Sequence, residues 1–447
     1  MVACRNFTDK DVVMDMPAKK RRTSELDLSV LLKQTALMPK IQAHKTLDFL
    51  ESLRREIRTP GGHSLYLSDQ GLESFLRLSD MAEEFLPSRS KLEAQDICVA
   101  CKEALGRLYE QDAPSREIMS YFATVEAIAK ESINIHRFYT SLAGLEFDGV
   151  DEFSIGYVSI QKPDLEVLKS CVANDDLVNS TWEQMQQGLW VTAEVTGSLE
   201  YAERRFFDDV KIACGLLAVS FTTVLERGGA AVRLVPSMDG RFRPGAVSWF
   251  SYPAVSKVLR TTTNVMGFDR LTFDERHKSG LPSCSWYQDL VRIVQDGKET
   301  DAELAVRRGI YWFFDAQTDT SPEMQLVKFW SSIECIFSIG KEDTTKKIKR
   351  GLTALLTYGR YSFSDTKNWD RLESEIGRLY DLRCGAVHDA MHNHVMVGHV
   401  TTVSKWAAWV MLEVAHLVTD GFDTRVKIKA EIDRVCGIRL ADRAKRD

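Results

Sequence analysis

The sequence predicts a mainly α chain with three parts: a helical N-terminal domain, a mixed α/β middle domain and a C-terminal antiparallel helical bundle. Three observations lead to this. Apolar residues recur at helical spacing from about Ser29 to Leu145. Short β-branched and aromatic runs, broken by one long amphipathic stretch, follow between 147 and 298. From 299 onward, five capped amphipathic segments with mostly short connections follow one another, the pattern of a bundle. The expected boundaries are a disordered basic tail at 1–24, the helical domain at 25–146, the mixed domain at 147–298, the bundle at 299–420 and a charged C-terminal segment at 421–447.

Composition narrows the functional classes. The chain has 447 residues, 44% hydrophobic and 27% charged, as in an ordinary globular protein. A net charge of −6 argues against electrostatic binding of nucleic acid by the whole surface, so any such site is local. Nine cysteines in a chain this long are not a disulfide scaffold, and the start carries no secretory pattern. The expectation is a cytoplasmic protein. No apolar run reaches membrane-spanning length, and Glu413 and His416 interrupt the stretch Trp406–Val418, so no membrane partner is expected.

The elements follow in order. Lys19-Lys20-Arg21-Arg22 after Pro17 reads as a solvated basic patch, with a nuclear address or RNA contact as alternatives. Pro60-Gly61-Gly62 and Pro87-Ser88 divide the N-terminal helices, four or five in number. In the middle, Ile155–Ile160, Leu189–Val195, Ala231–Val235 and Val247–Tyr252 read as strands, and Leu199–Leu225 as a long helix. In the last third, Thr300 and Glu303 form a capping box for a helix to about Gln317. Pro322 opens the next helix, near 322–339, and Asp343 or Thr344 caps a third that stops at Gly359. The fourth spans about 369–390 and the fifth about 397–418.

Two of these helices carry a charge on the buried stripe. In the fourth, Trp369, Leu372, Ile376, Leu379, Tyr380 and Val387 share a side with Arg383. In the second, Val327, Trp330, Ile333 and Phe337 share a side with Glu334. A buried guanidinium requires a partner, because its desolvation is costly. An Arg383–Glu334 pair satisfies both groups, and taken alone it reads first as a structural salt bridge. His388 lies five residues beyond Arg383, about 140° away on a straight helix. Gly385 between them is where a distortion could bring them closer. Imidazole beside guanidinium suits a phosphodiester: the histidine moves the proton of a ribose 2′-hydroxyl or of the leaving oxygen, and the arginine holds the phosphate.

The segment from about Thr300 to Thr419 resembles a HEPN domain. The resemblance rests on Arg383-Cys384-Gly385-Ala386-Val387-His388, an arginine and a histidine separated by a spacer of family length, preceded by Leu379-Tyr380. It also rests on the upstream helix Phe329–Phe337 with its inward acid, Glu334. The resemblance implies a metal-independent endoribonuclease that cuts RNA by 2′-OH transesterification, leaving a cyclic phosphate and a 5′-hydroxyl. Its site would be shared by two bundles in a homodimer or higher homo-oligomer. It further implies a toxin or effector of antiviral, including anti-phage, defence. Arg383 and His388 are then the catalytic pair, and Glu334, Tyr380, Cys384 and Asp389 support them. Cys384 departs from the family, whose residue after the arginine is usually polar. The alternative is a non-catalytic HEPN module that dimerises or binds nucleotide or RNA, as a regulator or adaptor.

Lys346, Lys347, Lys349 and Arg350 on the third bundle helix are the candidate RNA-binding residues, or else a solvated helix face. No metal or cofactor is expected. His388 and His392 have a ligand spacing but lack the metalloprotease glutamate, and Cys98–Cys101 has no second pair. The N-terminal region is the expected place for a regulatory partner or ligand.

Overall fold

The computed structural model describes residues 16–171, 174–224, 233–238, 247–251, 260–263, 271–338, 344–388 and 394–444. The protein is mainly helical with a mixed α/β region. It divides into two compact units, residues 1–137 with 194–206, and residues 138–193 with 207–447. The middle sheet and the C-terminal helices, expected as separate domains, thus belong to one unit.

The first unit holds helices α1 (Ala18–Leu31), α2 (Lys40–Thr46), α3 (Phe49–Arg55), α4 (Asp69–Phe85), α5 (Ala94–Tyr109) and α6 (Ile118–Glu131). It also contains a small antiparallel sheet, β1 (Leu37–Met38), β2 (Glu56–Arg58) and β3 (Ser64–Leu67), in the order β1-β3-β2. The expectation of an all-helical domain is therefore corrected. Pro60-Gly61-Gly62 is the turn of the β2–β3 hairpin, with Gly62 at φ +82°, a conformation that favours glycine. The basic cluster Lys19–Arg22 lies in the first turns of α1, which corrects the expected tail to 24; residues 1–15 lie outside the described residues. Leu28, Leu31, Phe75, Leu78, Ile97, Leu105 and Phe122 form the core, and Cys101 is buried among them.

Most of the second unit's sheet comes from β4 (Asn134–Ala143), β6 (Glu152–Ile155), β7 (Val158–Gln161), β8 (Leu189–Gly197) and β9 (Val235–Pro236), in the order β6-β7-β8-β4-β9, with residues 134–137 of β4 and 194–197 of β8 counted in the first unit. The run Ile155–Ile160, expected as one strand, is a hairpin that turns at Gly156, φ +70°. Strand β5 (Leu145–Phe147) pairs in parallel with β12 (Leu271–Phe273), and β10 (Val247–Ser251) pairs antiparallel with β11 (Arg260–Thr263). Of the expected strand Ala231–Val235, residues 231–232 lie outside the described residues. Helices α7 (Leu165–Lys169), α8 (Asp175–Met185), α9 (Leu199–Val224, whose residues 199–206 are counted in the first unit), α10 (Glu275–Ser283) and α11 (Ser285–Asp296) follow.

The C-terminal helices are α12 (Asp301–Thr318), α13 (Pro322–Phe337), α14 (Thr344–Tyr358), α15 (Trp369–His388), α16 (Val397–Thr419) and α17 (Arg425–Ala444). The Thr300–Glu303 capping box and the Ser321 cap before Pro322 are both formed. The expected charged segment at 421–447 is corrected: most of it is α17, whose Ile428, Ile432, Val435 and Cys436 are buried. Helix α13 packs against α12, α15 and α16, so Phe329, Trp330 and Ile333 sit at the centre of the core. The amide of Gln317 on α12 bonds Leu234 N (2.8 Å) and Leu234 O (2.9 Å), tying the bundle to the approach to β9. None of the helices among the described residues is long and apolar enough to cross a membrane.

The turn after α14 is fastened by a buried acid. Glu413 of α16 accepts the backbone N–H groups of Arg360 (2.7 Å) and Tyr361 (2.8 Å). Gly359 is required beside it, because a Cβ there would lie 2.3 Å from Glu413 Cδ. Burial pushes the Glu413 carboxyl up to about 7, against the pull of the backbone donors towards the ionised form. The folded state therefore holds this proton at pH values where the unfolded chain, with a carboxyl near 4.5, has released it. The associated stability is fully present below that unfolded value and is lost as pH rises towards 7. Denaturant unfolding should show stability falling by at most about 3 kcal/mol across this window, and Glu413→Gln should flatten the slope.

Candidate functional site

Helix α15 is amphipathic, and its inner face buries Trp369, Leu372, Ile376, Leu379 and Tyr380. The next inward position is Arg383. On α13, the stripe of Phe329, Trp330, Ile333 and Phe337 is interrupted by Glu334. Packing α15 on α13 brings these two charges together. Arg383 Nη2 donates to Glu334 Oε2 at 3.0 Å, with the side chains only 17% and 18% exposed. Tyr380 donates its hydroxyl to the other carboxylate oxygen, Oε1, also at 3.0 Å. Both acceptor oxygens of Glu334 are thus engaged.

Aromatic rings fix the geometry. The Arg383 guanidinium carbon stands 5.6 Å from the centroid of the Tyr380 ring, within cation–π range. Trp330 meets Tyr380 edge-on, with centroids 5.2 Å apart at 90°, and Trp406 of α16 backs Trp330 at 6.3 Å. Burial, and then the neighbouring Glu334 charge, push the Tyr380 phenol up to about 12, so the hydroxyl keeps its proton and serves as a donor at neutral pH. Two buried donors in this cluster, Arg383 Nε and Trp330 Nε1, meet no hydrogen-bond acceptor among the described residues. The Nε–H is shut off from solvent, so it is a buried donor left without a match beside a saturated carboxylate.

The other expected site residues are placed differently. His388 is exposed and ends α15 as described. The helix continues through Gly385 to His388, and on a regular helix five residues place His388 about 140° around from Arg383 and roughly 7.5 Å further along the axis. The structure brings together Glu334, Tyr380 and Arg383, and His388 takes no part in their hydrogen bonds. Cys384 is partly buried next to Arg383, while Asp389 and His392 lie outside the described residues. Lys346, Lys347 and Arg350 edge a cavity of about 290 Å³. Lys349 instead runs along α15, where a Cβ at Gly377 would lie 2.8 Å from its Nζ. Away from this cluster, Glu413 is a buried acid to which sequence reasoning gave no structural role. Its signal is the one that picked out Glu334, an acid on an apolar stripe, here between Val410 and Val414.

Comparison of the chain with known proteins matches it to no family model, no curated protein and no solved structure. The site is therefore interpreted on its own geometry.

Removing the carboxylate strands a half-buried cation. Glu334→Ala should cost about 1–3 kcal/mol in denaturant unfolding. Tyr380→Phe, which deletes one donor and keeps the ring, should cost about 0.5–1.5 kcal/mol.

Proposed function

We propose that α12–α16 form a HEPN-like bundle and that the protein is a metal-independent, cytoplasmic endoribonuclease acting as an effector in antiviral defence. The observation that carries this reading is the Arg383 guanidinium, held on an inward face by Glu334 and Tyr380 with its Nε unspent. In the reaction, His388 takes the proton of a ribose 2′-hydroxyl. The 2′-oxygen attacks phosphorus, the P–O5′ bond breaks, and a proton returns to the departing 5′-oxygen. Arg383 holds the phosphate and offsets the charge that builds on its oxygens. Because α15 directs His388 away from Arg383, one chain alone does not supply both groups to one phosphate. The site is completed by a second copy, whose histidine approaches this arginine. Exposed apolar side chains at the adjoining helix ends, Val387 (46%), Met396 (67%) and Val397 (64%), suit such a contact. The N-terminal unit then carries the restraint or trigger that a toxic activity requires.

A second reading has a specific observation in its favour. Glu334 already neutralises Arg383, and the helix is continuous to His388. On that reading the bundle is a non-catalytic module that dimerises or binds RNA or a nucleotide, as a regulator or adaptor.

Incubating the full chain with end-labelled RNA in excess chelator separates the two. The enzyme reading predicts cleavage with cyclic-phosphate ends, reduced at least 100-fold by either Arg383→Ala or His388→Ala. It also predicts a dimeric mass, with activity regained on mixing the two variants. Uncut RNA with the wild-type chain favours the second reading, and cutting that persists undiminished in both variants would overturn the assignment of Arg383 and His388.

A further inference from the structure

The cavity edged by Lys346, Lys347 and Arg350 has a second wall that the RNA reading does not use. It opens between the last turn of α13, the first half of α14 and the first half of α17, and encloses about 290 Å³. Its floor is aliphatic and aromatic: Ile336 and Phe337 from α13, Ile428 and Ile432 from α17. Its rim is cationic: Lys346, Lys347 and Arg350 from α14, and Lys429 from α17. Arg425 also lines it, but is committed to Asp301 at 2.8 Å and to the Ser338 carbonyl at 3.2 Å. Among the described residues Asp433 is the one acid in the lining, 3.7 Å from Arg350. Setting aside Arg425 with its Asp301 partner and Arg350 beside Asp433, Lys346 and Lys429 are the two rim cations that form no ion pair among the described residues.

We propose that this cavity binds a small amphiphilic phosphomonoester, with an aliphatic body on the floor and its phosphate at the rim. Its volume lies at the lower edge of the range for small-ligand pockets, roughly 300 Å³. The surplus of positive charge matches a head group of about −1.5 to −2 at pH 7. The lining discriminates among phosphorylated ligands. Among the described residues every polar side chain in it is charged, and none is an amide or a hydroxyl. A nucleobase buried there would find no neutral side-chain donor or acceptor for its edge and would lose its hydrogen bonds to water. An alkyl body has no such requirement and gains from leaving water. Lys346 and Lys429 are exposed and form no ion pair among the described residues, so their charges are available. This site is independent of the proposed cleavage chemistry, since it involves neither Arg383 nor His388.

Calorimetric titration of the full chain with decyl phosphate, below its micelle concentration, tests the proposal. Inorganic phosphate, decanol and adenosine 5′-monophosphate serve as separate titrants. Decyl phosphate should bind one-to-one, at least tenfold tighter than each of the other three. The surface double variant Lys346→Glu/Lys429→Glu should weaken it at least tenfold with the thermal midpoint unchanged, and Ile432→Trp should block the floor. If Ile432→Trp does not fold, the charge reversal decides alone. Inorganic phosphate binding as tightly as decyl phosphate would show a bare anion site and overturn the proposal. So would tighter binding of the nucleotide, no binding of decyl phosphate at millimolar concentration, or binding unaffected by the charge reversal. The RNA cleavage assay is read separately on Arg383 and His388 variants, so failure of one proposal leaves the other standing.

Discussion

A guanidinium inside a helical bundle constrains everything placed around it. Arg383 occupies a position where α15 would otherwise present an aliphatic side chain, and the loss of its water must be offset by fixed partners. Glu334 supplies the charge, Tyr380 occupies the second carboxylate oxygen, and Trp330 and Trp406 hold the tyrosine ring in place. These contacts tie α13, α15 and α16 to one rotational setting. A slip of either helix by one residue would turn a charge into hydrocarbon. The pair thus specifies register whether or not it also serves chemistry, and this is why the same geometry supports both functional readings.

Much of the C-terminal architecture was legible because local and global signals agree there. The Thr300–Glu303 box, Pro322 and Gly359 mark helix ends, and the apolar period between them marks the inner faces. The Glu334–Arg383 pairing was legible for the same reason: each charge stands on an otherwise apolar stripe. Other features had no such signature. Strands of two to four residues in the first unit are too short to show alternation. The Ile155–Ile160 run alternates through a turn that only Gly156 betrays. Helix α17 is densely charged, and its buried face emerges only once α14 lies against it. Glu413 is matched by backbone N–H groups, which no sequence pattern displays. Whether α15 bends at Gly385 depends on what packs around it, so the direction of His388 was a tertiary question.

The two proposed sites divide the labour of the bundle. One end of the α13–α15 contact carries a fixed cation with a spare donor, and the far side of α13 and α14 carries a cationic rim over an apolar floor. Glu334 lies within one turn of Ile336 and Phe337, so α13 contributes to both.

The central claim is that Glu334 and Arg383 are energetically coupled and that this coupling sets the α13–α15 contact. A double-mutant cycle with Glu334→Gln, Arg383→Met and the double variant, read by denaturant unfolding, measures it directly. The account predicts a coupling of at least about 1 kcal/mol, with the double variant more stable than the sum of the single losses. Additive losses, with a coupling near zero, would contradict it.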